Sequence, residues 1–149
     1  LGFCEYHKVS ACNCFHGSKA IFKLTDAGAV LRDISVYLTS TGLSRMADVA
    51  EVSTLGTTAK QYVVGLTDGT IPLEGPFDPT VDGYMSGLLG FETAVAYEFY
   101  PAGTPVGPTK PKYSGVCYLG SYDIETGVDD AGTWSGELQL NGTVTRAVA

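Results

Sequence analysis

Long apolar runs and clusters of basic residues are both absent from this 149-residue chain. No apolar run approaches the roughly 18 residues of a membrane-spanning helix, so we expect no contact with a membrane. Nine Lys and Arg residues stand against sixteen Asp and Glu residues, and the net charge is −7. Proteins that bind nucleic acid need clustered cations against the phosphates, so the scattered basic residues disfavour that class.

Catalytic motifs are also missing. Both histidines, His7 and His16, come before residue 17, so a Ser-His-Asp or Cys-His arrangement in the rest of the chain would lack its base. Neither G-x-S-x-G nor G-x-x-x-x-G-K-[ST] occurs. We therefore predict that the chain is not an enzyme and that it takes no cofactor.

Cysteine is sparse and unevenly placed. Three of the four cysteines, Cys4, Cys12 and Cys14, lie in the first 14 residues, which does not suit a disulfide scaffold. Together with the two histidines they loosely resemble a zinc site, but a Cys-x-Cys pair is a poor chelating spacing. We expect no metal, and we predict an N-terminal arm over residues 1–17 followed by a single domain over residues 18–149.

Alternating apolar and polar residues dominate the chain from Ser18 onward. The pattern predicts about seven or eight strands, with one helix at Pro79–Leu89 that Asp78 would cap. Asp68 and Gly69 are typical of a hairpin turn. Thr39–Thr58 is weakly periodic and predicts a long loop with a short strand near residues 48–54. The expected fold is mostly β, a β-sandwich or barrel-like domain with one flanking helix.

Three segments resemble the major tail tube proteins of long-tailed bacteriophages. They are EVSTLGTTAKQYVVGLTDGTI at residues 51–71, FDP at residues 77–79 and GTWSGELQLNGTVTR at residues 132–146. The resemblance covers roughly residues 18–146 and does not include the cysteine-bearing arm. It implies a tail-tube-like β domain that acts as a structural protein of the virion.

The family resemblance further implies an assembly. Six copies would form a ring whose inner sheets join into a β-barrel around a channel, and stacked rings would form the tail tube that delivers the genome. The implied partners are further copies of the chain, neighbouring tail proteins and the tape-measure protein. DNA would pass without specific binding. The implied location is the virion tail, after assembly in the host cytoplasm.

Two groups of residues are candidates for roles in such a tube. Acidic side chains on the polar faces of the predicted strands would repel DNA from the channel wall: Asp68, Glu74, Glu92, Glu98, Asp123, Glu125 and Glu137. A loop before Lys60 would reach the adjacent ring, with these candidates: Thr39, Gly42, Leu43, Thr54 and Gly56.

Two other classes remain open at this point. A virion decoration or adhesion domain on a β-sandwich would form trimers or monomers and would carry an aromatic patch. A hydrolase on a β-scaffold would hold at least one carboxyl group of raised pKa in a cleft.

Overall fold

The computed structural model describes residues 16–149, so most of the expected N-terminal arm lies outside the described residues. Eight strands and one α-helix follow one another along the chain. In chain order they are β1 (Ile21–Thr25), β2 (Leu31–Asp33), β3 (Ser40–Thr41), β4 (Ser44–Glu51), β5 (Tyr62–Pro76), α1 (Pro79–Leu88), β6 (Val95–Tyr100), β7 (Lys112–Glu125) and β8 (Thr133–Ala147). Short 3₁₀ turns occupy Gly17–Lys19 and Ser35–Tyr37.

All eight strands belong to one antiparallel sheet. Its order is β2-β1-β6-β7-β8-β5-β3, and β4 follows β3 along the same edge of β5. The prediction of a mostly β domain with one flanking helix is confirmed. The strands form a single sheet, however, and not two separate ones.

The sheet is curled into a barrel-like shape. A flat sheet would hold β2 and β3 about 29 Å apart, because six strand spacings of about 4.8 Å separate them. The chain from Asp33 to Ser40 passes through a 3₁₀ turn and reaches only about 20 Å. The two ends of the sheet must therefore bend toward each other.

One hydrophobic core fills the inside of the curl. Strands near both ends of the sheet contribute to it, with Phe22 and Leu24 from β1 and Ile71 and Leu73 from β5. Ile34 in the β2–β3 connection is fully buried among them. The Trp134 indole N–H donates a hydrogen bond of 3.2 Å to the Tyr37 carbonyl oxygen and so holds this connection against β8.

Helix α1 covers the open side of this core. The Asp78 carboxylate accepts a hydrogen bond of 2.7 Å from the Thr80 backbone N–H, and Pro79 occupies the first helical turn, where its missing N–H costs nothing. Val81, Met85 and Leu88 fall on one face and are buried. The predicted helix and its cap are confirmed.

Strand β7 changes face part-way along its length. Simple alternation along residues 116–124 of the sequence predicts that Val116 and Tyr118 share a face with Tyr122, and the structure contradicts this. A bulge between Leu119 and Ser121 inserts one residue opposite β8. Cys117 and Leu119 therefore face the core before the bulge, and Tyr122 faces it afterwards.

Three other local predictions were wrong. Asp68 and Gly69 do not form a turn but lie inside β5, where Gly69 pairs with Arg45. The segment predicted as a long loop contains the eight-residue strand β4, which begins at Ser44, earlier than expected. Strand β6 begins at Val95, so Glu92 belongs to the loop that follows α1.

Candidate functional site

The face of the sheet opposite the core is a broad polar surface. On β5 and β8, Thr70 pairs with Gln139, Pro72 with Glu137, and Glu74 with Ser135. On β7, the bulge at Gly120 turns Ser121, Asp123 and Glu125 toward this same face. We call this surface the polar face; within the described residues, no other element of the chain covers it.

Four of the candidate acids form a cluster on this face. Glu74 and Asp123 both pair with Ser135, one from each side, and Glu137 lies between Pro72 and Ser121 in the next row. Glu125 follows on β7, opposite Thr133. Glu74, Glu137 and Asp123 line a shallow depression of about 280 Å³. These four carboxylates form no ion pair with any residue in 16–149.

Asp68 occupies the polar face near the middle of β5. Its carboxylate accepts a hydrogen bond of 2.7 Å from the side-chain amide of Gln139 on β8. It also accepts one of 2.8 Å from the Gly69 backbone N–H. These contacts orient Asp68 without neutralising its charge.

Glu98 lies on the polar face as predicted, but its charge is balanced. Its carboxylate is 2.9 Å from the Lys112 ammonium and accepts a hydrogen bond from the Tyr100 hydroxyl. These two contacts, the tyrosine first, lower the pKa of Glu98. Lys23 and Lys112 also lie over the Tyr100 ring, at 5.6 and 5.7 Å from its centre. The pairing of Glu98 could not be anticipated from strand alternation alone.

A long β-hairpin projects beyond the sheet. Strand β5 pairs with β8 only from Thr70 onward, so residues 44–69 form a two-stranded ribbon of β4 and the first half of β5. The ribbon extends about 25 Å past the last shared row. Its exposed apolar side chains are Met46, Val49, Val52, Leu55, Tyr62, Val63, Val64 and Leu66.

An isolated hairpin of this kind is marginally stable in water, because it lacks a third strand or a packed face. A contiguous exposed apolar surface also marks an interaction site. The candidates Thr54 and Gly56 lie at the tip of this hairpin, where a turn closes through a Thr57 N–H to Thr54 carbonyl bond of 3.2 Å. Thr39, Gly42 and Leu43 lie instead at its base, beside the body of the sheet.

Two of the strand edges that are unpaired within the described residues belong to β4 and β7. Strand β4 pairs with β5 on one side only. Strand β6 covers β7 no further than Cys117, so the segment 120–125 of β7 has a free edge on that side. Free edges offer N–H and C=O groups to another strand.

Among residues 16–149, two carboxyl groups have pKa values that their contacts shift. The two carboxyl groups with shifted pKa values, Asp26 and Glu98, are both lowered. For Asp26 the causes are the Val30 backbone N–H and then the Arg32 side chain. Burial raises the pKa of the Cys117 thiol to about 12, so this thiol stays protonated.

His16 caps the first 3₁₀ turn, its Nδ1 accepting a hydrogen bond of 3.1 Å from the Ser18 N–H. Cys4, His7, Cys12 and Cys14 lie outside the described residues.

The described residues contain no helix of the length and apolar character that a bilayer crossing requires.

Chains in solved structures of tail and tube assemblies share the fold of this chain. A chain of the native gene transfer agent virion superposes with a TM-score of 0.74 at 15% identity, over 90% of this chain and 99% of that one. A chain of the SPP1 tail tube gives 0.69 at 11% identity, over 91% and 80%.

This chain has the fold of a tail tube protein. A chain of an extracellular contractile injection system, from its sheath–tube complex, also matches, with a TM-score of 0.68 at 13% identity over 97% of both chains. No family model matches the sequence, and no curated protein does. The resemblance drawn from the sequence is confirmed at the level of the fold.

Proposed function

We propose that this chain is a structural tube subunit and that six copies form a ring of a virion tail. The fold it shares with tube proteins carries the proposal, and one solved relative is a gene transfer agent tail with C6 symmetry. The proposed role is structural and involves no catalysis. It requires a subunit that joins its neighbours around a ring and along an axis.

Strands β4, β5, β8 and β7 would form the wall of the channel. They are adjacent in the sheet in this order, and the outer edge of β4 and that of β7 at residues 120–125 are both unpaired within the described residues. In a ring of six, β4 of each copy would pair with β7 of the next. Twenty-four strands spaced about 4.8 Å and tilted about 40° would close into a barrel with a backbone radius of about 24 Å.

The polar face would then line this channel. Glu74, Asp123, Glu125 and Glu137 lie on it without ion pairs among the described residues, so a closed ring would present a wall of like charge to DNA. Such a wall repels phosphates and prevents adhesion. Glu98 would contribute less, since Lys112 balances its charge. The position of Glu92, in a loop outside the sheet, gives no support for including it.

The hairpin would join successive rings. Its apolar side chains have no partner within the described part of the chain, and a neighbouring ring would bury them. We also propose residues 18–149 as the domain that assembles, with residues 1–17 as a peripheral arm. The remaining partners would be neighbouring tail proteins, the tape-measure protein and DNA in transit, with assembly in the host cytoplasm.

Negative-stain electron microscopy of the purified protein at high concentration, with light scattering for mass, tests the assembly. We expect rings or tubes with a central channel. A discrete trimer would contradict the proposal and favour a decoration domain.

The channel charge is tested on such tubes with the variant E74Q/D123N/E137Q. We expect tubes that retain DNA at low salt, where wild-type tubes release it. S121A/S135A, on the same face and without a change of charge, is the control. Equal retention by both variants would argue against an acidic channel wall.

A further inference from the structure

Positive charge is segregated along this chain. Residues 61–109 and 113–145 contain no Lys or Arg, although they supply β5, α1, β6, most of β7 and most of β8. The cations of the sheet are therefore confined to the short strands β1 and β2 and to the ends of the longer strands, and strand register decides at which end of the domain each of them lies.

The register gathers five cations at one end, which we call the basic end. Ile21 pairs with Tyr100, and Lys112 pairs with Ala147, so the start of β1, the end of β6, the start of β7 and the end of β8 are level. Gly103, just beyond β6, lies against the Lys19 carbonyl, so the first 3₁₀ turn lies here as well. The cations of this end are Lys19, Lys23, Lys110, Lys112 and Arg146.

The opposite end of the sheet is acidic, and we call it the acidic end. Glu125 pairs with Thr133, and Thr133 pairs with Pro76, so the β7–β8 turn lies beside the end of β5. Asp123, Glu125, Asp129 and Asp130 are all exposed there. Strand β7 runs from one end to the other, which separates them by about 40 Å.

Internal ion pairs do not cancel this separation. At the basic end only Lys112 is in an ion pair, with Glu98. At the acidic end of β1 and β2, Arg32 is held by Asp26 at 2.9 Å and cannot neutralise the β7–β8 turn. Lys19 at one end, and Asp129 and Asp130 at the other, are exposed and have no ion pair within residues 16–149.

The direction of the hairpin determines which end of the domain faces the neighbouring ring. Residues 44–69 continue from the rows of Thr70 and Gln139 in the direction of the basic end. A ring whose hairpins reach the next ring therefore presents its basic end to that ring. Head-to-tail stacking brings the acidic end of the neighbour to this junction.

We propose that Lys19 and Lys110 at the basic end of each copy meet Asp129 and Asp130 at the acidic end of a second copy where rings stack. This inference rests on the proposed tube function and adds to it the residues of this chain that meet at the junction between rings. Opposite charges across such a junction favour this head-to-tail order, while basic-to-basic and acidic-to-acidic junctions are repelled.

Charge reversal at each end tests the proposal. The basic-end variant is K19E/K110E, the acidic-end variant is D129K/D130K, and the swap variant carries all four changes and keeps the net charge of the wild type. The control E92K/E137K changes the net charge as much as D129K/D130K does, but between the two ends: Glu137 lies opposite Pro72 on the polar face, and Glu92 lies in the loop between Leu89, which bridges to Leu119, and the start of β6. Tube formation is measured by sedimentation and electron microscopy over a series of protein concentrations, after circular dichroism has shown that each variant is folded.

We expect each single-end variant to need at least about tenfold more protein than wild type to form tubes, because like charges then meet at every junction. The swap variant and an equimolar mixture of the two single-end variants regain tube formation, since opposite charges meet again. The control behaves like wild type.

If the wild-type protein forms tubes and the single-end variants form them equally well, the stacking proposal is overturned and the proposed function is not. A folded swap variant and a mixture that both fail to assemble would also overturn it. Wild-type protein that forms no tube at all would instead contradict the proposed function.

Discussion

The Tyr122 hydroxyl donates a hydrogen bond of 2.7 Å to the Asp82 carboxylate, which ties β7 to α1. The contact exists because the bulge at Gly120 turns Tyr122 toward the core side, where its ring also lies against Trp134. Burial and the Asp82 contact raise the pKa of the Tyr122 hydroxyl, so it remains a donor over the physiological range. The helix is thus attached to the sheet by one charge-assisted bond as well as by its apolar face.

We expect Tyr122→Phe to lower the free energy of unfolding by about 1–2 kcal/mol, the usual net value of a hydrogen bond to a charged group. Urea denaturation followed by circular dichroism measures this. Tyr118→Phe is a matched control, because Tyr118 lies on the polar face before the bulge. A loss of equal size in both variants would show that the Asp82 bond does not account for the effect.

Local signals in the sequence predicted α1 well, because its cap and first turn depend on neighbours in the chain. They failed at Asp68 and Gly69, since a Cβ at Gly69 would lie 2.6 Å from the Ser44 carbonyl oxygen and 2.8 Å from Leu140. Glycine is required there by close packing between strands and not by a turn. Contacts of this kind depend on residues that are distant in sequence.

The same distinction applies to the candidate acids. Alternation along each strand predicted the face on which Glu74, Glu98 and Glu137 lie. It could not predict the bulge in β7, which is set by pairing with β8, or the pairing of Glu98 with Lys112 across two strands. The placement of these acids in a channel remains a prediction.

Gly75 lies where the β2–β3 connection crosses β5. A Cβ at this position would overlap the Tyr37 carbonyl group, the acceptor of the Trp134 indole. We expect Gly75→Ala to cost about 3 kcal/mol of unfolding free energy, the upper part of the usual range for overpacking. Thermal and urea denaturation would measure the loss.

Gly83→Ala is the control for this substitution. Gly83 lies in α1 with open space around its Cα, so alanine should leave stability unchanged or raise it by up to about 1 kcal/mol. If Gly75→Ala were as mild as Gly83→Ala, the tight closure of the curl would be disproved.

Tyr97 is a buried residue whose hydroxyl has no hydrogen-bond partner within residues 16–149. An unsatisfied buried hydroxyl costs free energy, so we expect Tyr97→Phe to stabilise the fold by about 1 kcal/mol. The ring remains and keeps its stacking on Phe22. A clear loss of stability in urea denaturation would contradict this and would imply a partner for the hydroxyl.

Glu98 makes folding sensitive to acid. Its pKa is lower in the folded state than the ordinary value of 4.5, because the carboxylate is held first by Tyr100 and then by Lys112. A group with a lowered folded pKa contributes stability above the unfolded pKa and loses that contribution as the pH falls through the folded value. We expect Glu98→Gln to be less stable than wild type at pH 7 and to show a smaller loss below pH 4.5.

Urea denaturation between pH 3 and pH 7 measures this difference. Glu74→Gln is the control, since Glu74 forms no ion pair with any described residue. Parallel stability–pH curves for wild type and Glu98→Gln would show that the cluster with Tyr100 and Lys112 contributes nothing.

The hairpin gives the most direct prediction about assembly. Val64 and Leu66 are 73% and 82% exposed, so replacing them with serine removes apolar surface without opening the core. We expect V64S/L66S to change the free energy of unfolding by no more than about 0.5 kcal/mol per site, as is usual for surface positions. Tube formation should be lost, because the contact between rings would lose its apolar surface.

Val36→Ser provides the comparison, since Val36 is 79% exposed in the second 3₁₀ turn, away from the hairpin. It should form tubes at the wild-type concentration. Sedimentation detects tubes and light scattering detects single rings, so the two failures can be separated. Rings that form without stacking would locate the defect at the hairpin contact, whereas normal tubes from V64S/L66S would show that the hairpin does not hold rings together.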